Sequence, residues 1–117
     1  MATTMRTGTP DILRGTLDLL VLKALSRGKM HGYDVARWIE FATDDALSVG
    51  EGTLYPALHR LEERGWIASR WGASEKNRRA KFYSLTTRGR EQLQVESENW
   101  TRYAAAVFAA LDAPGLP

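Results

Sequence analysis

The sequence predicts a mainly α-helical chain with one small β-hairpin, on three observations. Apolar residues recur at three- and four-residue steps in three early stretches and one long late one. Between Gly65 and Thr86 that period gives way to short alternating stretches rich in aromatics. Residues that start or stop helices stand at the joints: Asp11, Gly28, Gly65 and the pair Thr86-Thr87.

Asp11 is placed to cap a first helix over residues 12–27, with Leu13, Leu17, Leu20, Ala24 and Leu25 on its buried face and Gly28 as its stop. A second helix is expected from Gly32-Tyr33 to Ala42. Tyr33, Ala36 and Ile39 form its apolar side, and Trp38 and Phe41 fill a neighbouring face. In the third, Leu54, Ala57, Leu58 and Leu61 make one stripe, leaving Thr53, Tyr55, Pro56, His59 and Arg60 on the open side. Pro56 has no amide proton and clashes with the carbonyl four residues back, so this helix starts no earlier than Gly50 to Gly52. Thr53 and Tyr55 therefore sit at its positive, N-terminal end.

Residues 66–71 and 80–85 then read as two strands. The loop between them carries Lys76, Arg78 and Arg79, more positive charge than a hairpin tip needs for solubility. Thr86 and Thr87 open a last helix reaching Asp112, with Leu93, Trp100, Tyr103, Ala104, Val107, Phe108 and Leu111 in one stripe. A small three-helix core leaves nothing in the chain to cover so long a stripe, and a second copy of the same helix is the simplest cover.

Composition narrows the function. The 117 residues suffice for one domain plus a long helix. With no cysteine, disulfides, thiolate metal sites and cysteine nucleophiles are excluded. The first nine residues lack the apolar core of a signal peptide, and the longest apolar run, Tyr103 to Leu111, falls far short of the ~20 residues a spanning helix needs. A soluble, cytoplasmic protein is expected. Formal net charge is only +2, but residues 51–90 hold nine basic and four acidic side chains, so the positive charge gathers around the third helix and the hairpin.

Chemistry-bearing motifs are otherwise few. Gly50-x-Gly52 lacks the third glycine and the lysine of a phosphate loop. Asn99-Trp-Thr101 matches a glycosylation acceptor but lies mid-helix in a chain with no export signal. The two histidines are 28 residues apart and have no carboxylate at ligand spacing, so neither a metal nor another cofactor is expected. Glu62 and Glu63 are adjacent and diverge on a helix, and no nucleophile has a base nearby. The chain is not expected to be an enzyme.

Three helices, a two-stranded wing and a trailing helix make a winged helix-turn-helix, and here the sequence resembles PadR-type transcriptional regulators. The resemblance rests on His31-Gly-Tyr-Asp34, on Gly52-Thr-Leu-Tyr-Pro-Ala-Leu-His-Arg-Leu-Glu62 followed by Gly65, on Asn77-Arg-Arg-Ala-Lys-Phe-Tyr83, and on Leu85-Thr86 with Gly89-Arg90. It spans residues 13–111, and the short C-terminus resembles the subfamily with a single C-terminal helix. It implies a homodimeric repressor of double-stranded DNA, with the third helix in the major groove and the wing on the backbone. Thr53, Tyr55, His59 and Arg60 would face the groove, and Lys76, Arg78, Arg79 and Lys81 would belong to the wing.

Against these readings stand plainer ones. Tyr55 half packed on the second helix and His59 merely solvated explain the same residues. His31 and Tyr33 read as capping and packing residues of the second helix, with a phosphate contact from Tyr33 open. The family also suggests a planar aromatic effector between the two halves of the dimer near Trp100, whereas an aromatic in a helical seam is ordinarily core. The expected layout is a flexible arm (residues 1–10), a DNA-binding domain (11–85), a dimerisation helix (86–112) and a tail (113–117). A winged-helix adaptor that binds protein rather than DNA is the alternative, since fold alone does not settle function.

Overall fold

The computed structural model describes residues 10–117, with side chains from Gly15 onward. Residues 1–9 of the expected arm and the burial of Leu13 lie outside the described residues, and α1 begins at Pro10, so Asp11 falls inside its first turn rather than capping a helix from residue 12. The elements run α1 (Pro10–Leu25), β1 (Met30–His31), α2 (Gly32–Ala42), α3 (Glu51–Glu63), β2 (Ile67–Ala73), β3 (Arg79–Leu85) and α4 (Thr87–Asp112). This is the expected mainly α chain with a hairpin, enlarged by one short strand. β1 adds to the hairpin edge to give an antiparallel sheet of order β1-β3-β2, with Met30 opposite Tyr83 and His31 opposite Phe82. Two residues hold too little pattern to show period-two alternation, so β1 is invisible without its partner.

One core joins α1, α2, α3 and the sheet. Leu17, Val21, Leu22, Ala24 and Leu25 of α1 meet Val35, Ala36 and Ile39 of α2, the α3 stripe Leu54, Ala57, Leu58 and Leu61, and Ile67 and Tyr83 of the sheet. The buried face of α2 differs from expectation. Gly32, Val35, Ala36 and Ile39 are its buried residues, whereas Tyr33 and Phe41 are 59% and 81% exposed. Both periods fit a helix, and the choice between them follows from where α1 and α3 sit. His31 occupies the N-cap position of α2 without a side-chain capping bond, so it does not cap as expected.

α3 ends in a Schellman motif. Trp66 N–H donates to the Leu61 carbonyl at 3.0 Å and Gly65 N–H to the Glu62 carbonyl at 3.0 Å, with Gly65 at φ 78°. The first turn of α4 locks onto this corner. Thr86 donates its hydroxyl to the Gly65 carbonyl at 2.7 Å and its N–H to the Trp66 carbonyl at 3.1 Å, and its Oγ1 accepts from Gly89 N–H at 3.0 Å. Gly89 is buried there, and a Cβ on it would fall inside the contact distance of the Trp66 carbonyl oxygen.

α4 packs its first half against α1 and then leaves the body. Leu93 touches the core, and the Trp100 indole N–H donates to the Thr16 hydroxyl at 3.3 Å. Beyond it Tyr103, Val107, Phe108 and Leu111 are exposed. The projecting helix gives the chain its 65 × 33 × 21 Å extents.

Candidate nucleic-acid interface

The site is built from α3 and the two wing strands. Along α3, Glu51, Gly52, Tyr55, Pro56, His59 and Glu63 are exposed, while Thr53 is half-buried. This open face carries hydroxyl, phenol and imidazole groups over one continuous side of the helix, the kind of surface that reads base edges. Thr53 and Leu54 both direct their N–H groups to the Gly50 carbonyl, at 3.1 and 2.9 Å. Pro56 lies in the second turn of α3 and has no N–H to give the Gly52 carbonyl.

Tyr55 is 43% exposed and lies across the start of α2. A Cβ at Gly32 would stand 3.0 Å from the Tyr55 ring and 3.2 Å from its hydroxyl. Gly32 thus leaves the space that brings the α3 tyrosine against α2, and the ring shows its remaining edge outward. His59 is largely exposed, with Nε2 3.6 Å from the Glu63 carboxylate one turn on. His31 turns from the helix cap to Asp34 (Nε2–Oδ2 3.1 Å) and sets its ring edge-on to Phe82, with centroids 5.6 Å apart.

Arg60 departs from the expected groove-facing set. Its guanidinium reaches back to α1 and donates to Asp18 Oδ1 at 2.8 Å, while Arg64 lies 3.7 Å from the other carboxylate oxygen. Asp18 is 13% exposed, so this is a largely buried tie between α1 and the C-terminal half of α3. The α3 backbone direction alone leaves Arg60 beside His59; the length of its side chain and the acid 42 residues earlier turn it inward.

The wing cations divide into two kinds. Lys76 and Arg78 are exposed in the turn between β2 and β3, which closes through Ser74 N–H to the Arg78 carbonyl (2.8 Å) and has Asn77 at φ 58°. Arg79 and Lys81 instead lie on the sheet face that adjoins α3. The strand register places Trp71 opposite Lys81 and Ser69 opposite Tyr83 on that same face. Lys81 approaches Glu62 Oε1 at 4.0 Å, and Ser69 donates a short hydrogen bond to Glu62 Oε2.

Glu62, which adjacency to Glu63 excludes from an acid–base pair, is the latch between α3 and both wing strands. A clue was available in its spacing from Leu58 and Tyr55, which puts it on the flank facing the hairpin. Burial first, and then the nearby Glu62 and Tyr55, raise the Tyr83 phenol above its usual value of 10.0. A depression of about 580 Å³ on the outer sheet face is lined by Lys29, Arg70, Gly72 and Phe82 among others. Among the described residues no group of acids and histidines is arranged to hold a metal ion.

A helical core that presents α3 beside a β-wing defines a winged helix-turn-helix fold. The model of the PadR-like transcriptional regulator family matches residues 21–95. The chain belongs to that family, and its members regulate transcription rather than catalyse reactions. It is 33% identical over 84 residues to the transcriptional regulator YqjI of Escherichia coli, covering 72% of this chain and 39% of that protein.

It is 27% identical over 77 residues to the negative transcriptional regulator PadR of Bacillus subtilis, covering 66% of this chain and 42% of that one. The chain thus spans less than half the length of either regulator. A transcriptional regulator of Clostridium thermocellum superposes with a TM-score of 0.75 at 32% identity, over 83% of this chain and 94% of that chain. A PadR-like regulator of Bacillus cereus superposes with a TM-score of 0.75 at 26% identity, over 89% and 99%. Among the described residues no helix is long and apolar enough to cross a membrane.

Proposed function

We propose that this PadR-family protein is a cytoplasmic, homodimeric repressor that binds double-stranded DNA through α3 and the wing. The observation that carries this reading is the shared side of the two elements: Glu62 ties the wing to α3, so its cations flank the open face of Thr53, Tyr55 and His59. α3 enters the major groove and reads bases through those three residues. Lys76 and Arg78 meet phosphates, joined by Arg79 and by Lys81 in part, since Glu62 offsets some of the Lys81 charge. Arg60 acts at one remove, by holding α3 to Asp18. The negative regulator among its relatives supports repression.

Dimerisation through α4 follows from its exposed run of Tyr103, Val107, Phe108 and Leu111, which a second copy covers by the twofold rule. The two α3 helices would then read half-sites roughly 34–36 Å apart. Trp100, 44% exposed at the root of the projecting helix, offers a stacking face for a planar aromatic effector at the dimer seam. Quenching of tryptophan fluorescence by planar aromatics, equal in the parent chain and in Trp100→Phe, would remove Trp100 from such a site.

Fluorescence anisotropy on a duplex selected from a random library tests the main reading. Tyr55→Ala is expected to lower the preference for the selected over a scrambled duplex. Arg78→Ala with Arg79→Ala should weaken both about equally and reduce the salt slope by roughly two. Failure to retain any duplex at low salt and micromolar protein would instead make the chain a protein-binding adaptor.

A further inference from the structure

We infer that Trp71 is a positioning residue for DNA binding: its indole is a rigid platform that presents Arg79 to a backbone phosphate. The inference rests on the proposed DNA contact of the wing and adds a residue whose role neither charge nor motif reveals.

Trp71 is 55% exposed, an unusual place for the largest apolar side chain in a hairpin that projects past the core. The Arg79 guanidinium lies over its ring at 4.4 Å from the centroid, and Lys81 Nζ lies 5.9 Å from the same ring. The register explains why Arg79 folds this way. Arg79 pairs with Ala73 and Lys81 with Trp71, so Arg79 has only a methyl opposite it and leans one pair inward onto the indole. All four residues share the face on which Ser69 and Lys81 reach Glu62 of α3. The stacked pair therefore lies on the sheet face that adjoins α3, not on the outer face.

Stacking and phosphate binding use different parts of a guanidinium. The ring takes its flat face, while its five N–H donors lie in the plane and remain free for phosphate oxygens. An arginine held this way needs no further loss of rotamer freedom when DNA arrives. Lys81 is different in kind. It lies among Trp71, Tyr83 (5.8 Å from that centroid) and Glu62, and so fixes the platform against α3. Lys76 and Arg78, out in the turn, are beyond the reach of the platform and supply charge without preorganisation.

The test is a double-mutant cycle on the full chain with a selected duplex, read by anisotropy across a salt series. Trp71→Ala should weaken binding roughly three- to tenfold, the scale of one ordered cation, with the salt slope unchanged because every cation remains. Arg79→Ala should weaken binding and lower the slope by about one. In the Arg79→Ala background, Trp71→Ala should add less than about twofold, and Trp71→Phe should recover part of the loss in the parent background.

A second measurement needs no DNA: ring-current displacement of the Arg79 side-chain NMR signals, present in the parent and lost in Trp71→Ala. Equal losses from Trp71→Ala in both backgrounds, or no displacement of Arg79, would overturn the platform while leaving the DNA reading intact. A parent chain that binds no duplex would overturn both. Thermal melting of Trp71→Phe matching the parent separates these effects from unfolding.

Discussion

Replacing Gly89 by alanine is expected to damage this protein more than its chemistry suggests. In a helix interior the change normally stabilises by up to about 1 kcal/mol, since alanine is the better helix former. Here the new methyl would occupy the space of the Trp66 carbonyl oxygen, stand 2.9 Å from the Trp66 carbonyl carbon and 3.0 Å from Leu85 Cδ2. Two of these are backbone atoms held by the Schellman turn, so no flexible side chain can yield. α4 must back away, which strains the Thr86 bonds to Gly65, Trp66 and Gly89.

Loss of an N-cap costs about 1 kcal/mol and overpacking about 1–3. Set against a propensity gain of about 1 kcal/mol, the net is a destabilisation of about 1–3 kcal/mol. Gly52→Ala is the control, being also in the first turn of a helix but with no atom within 4 Å of its Cβ position; it should be neutral to mildly stabilising. Urea denaturation at one fixed protomer concentration measures both, because any dimer linkage makes stability concentration-dependent. If Gly89→Ala melted with the parent, the close approach of α4 to the α3 corner would be refuted.

Other expectations follow from the same contacts. Asp18→Ala strands the Arg60 guanidinium in a part-buried site and should cost about 1–3 kcal/mol by denaturation, with Arg60→Met in the same background restoring part of it. Glu62→Gln loosens the wing from α3 and should increase hydrogen exchange in residues 79–85 while leaving α1 protected. Alkaline ultraviolet titration should show Tyr83 ionising above 10, and Glu62→Gln should lower its value by removing one of the causes that raise it.

The sign of that titration bears on stability. The unfolded phenol loses its proton first, so stability is fully present below pH 10 and falls as pH rises through the raised folded value.

Much of this architecture is written locally in the chain. The leucine stripe of α3, its start near Pro56 and its stop at Gly65 depend on neighbours a few residues apart, and all appear as the periodicity requires. The hairpin is equally legible, because aromatic alternation and a polar loop are short-range signals; the strands only extend further toward the turn than their pattern shows. The helix of 26 residues from Thr87 and its uncovered apolar stripe are legible for the same reason.

Tertiary packing decided the rest, wherever two periods or two partners compete. Val35 rather than Tyr33 enters the core because of where α1 lies, not because of the α2 pattern. Arg60 turns to an aspartate 42 residues away, Glu62 joins two strands that follow it, and Gly89 must be glycine only because Trp66 passes beside it. Arg79 gains its indole platform from a strand register set by the whole hairpin. Periodicity is a property of a segment, whereas a side chain's partner is a property of how segments dock. For that reason the sequence alone marks out α3 and the wing of this protein, and only the folded chain shows which of their cations face outward.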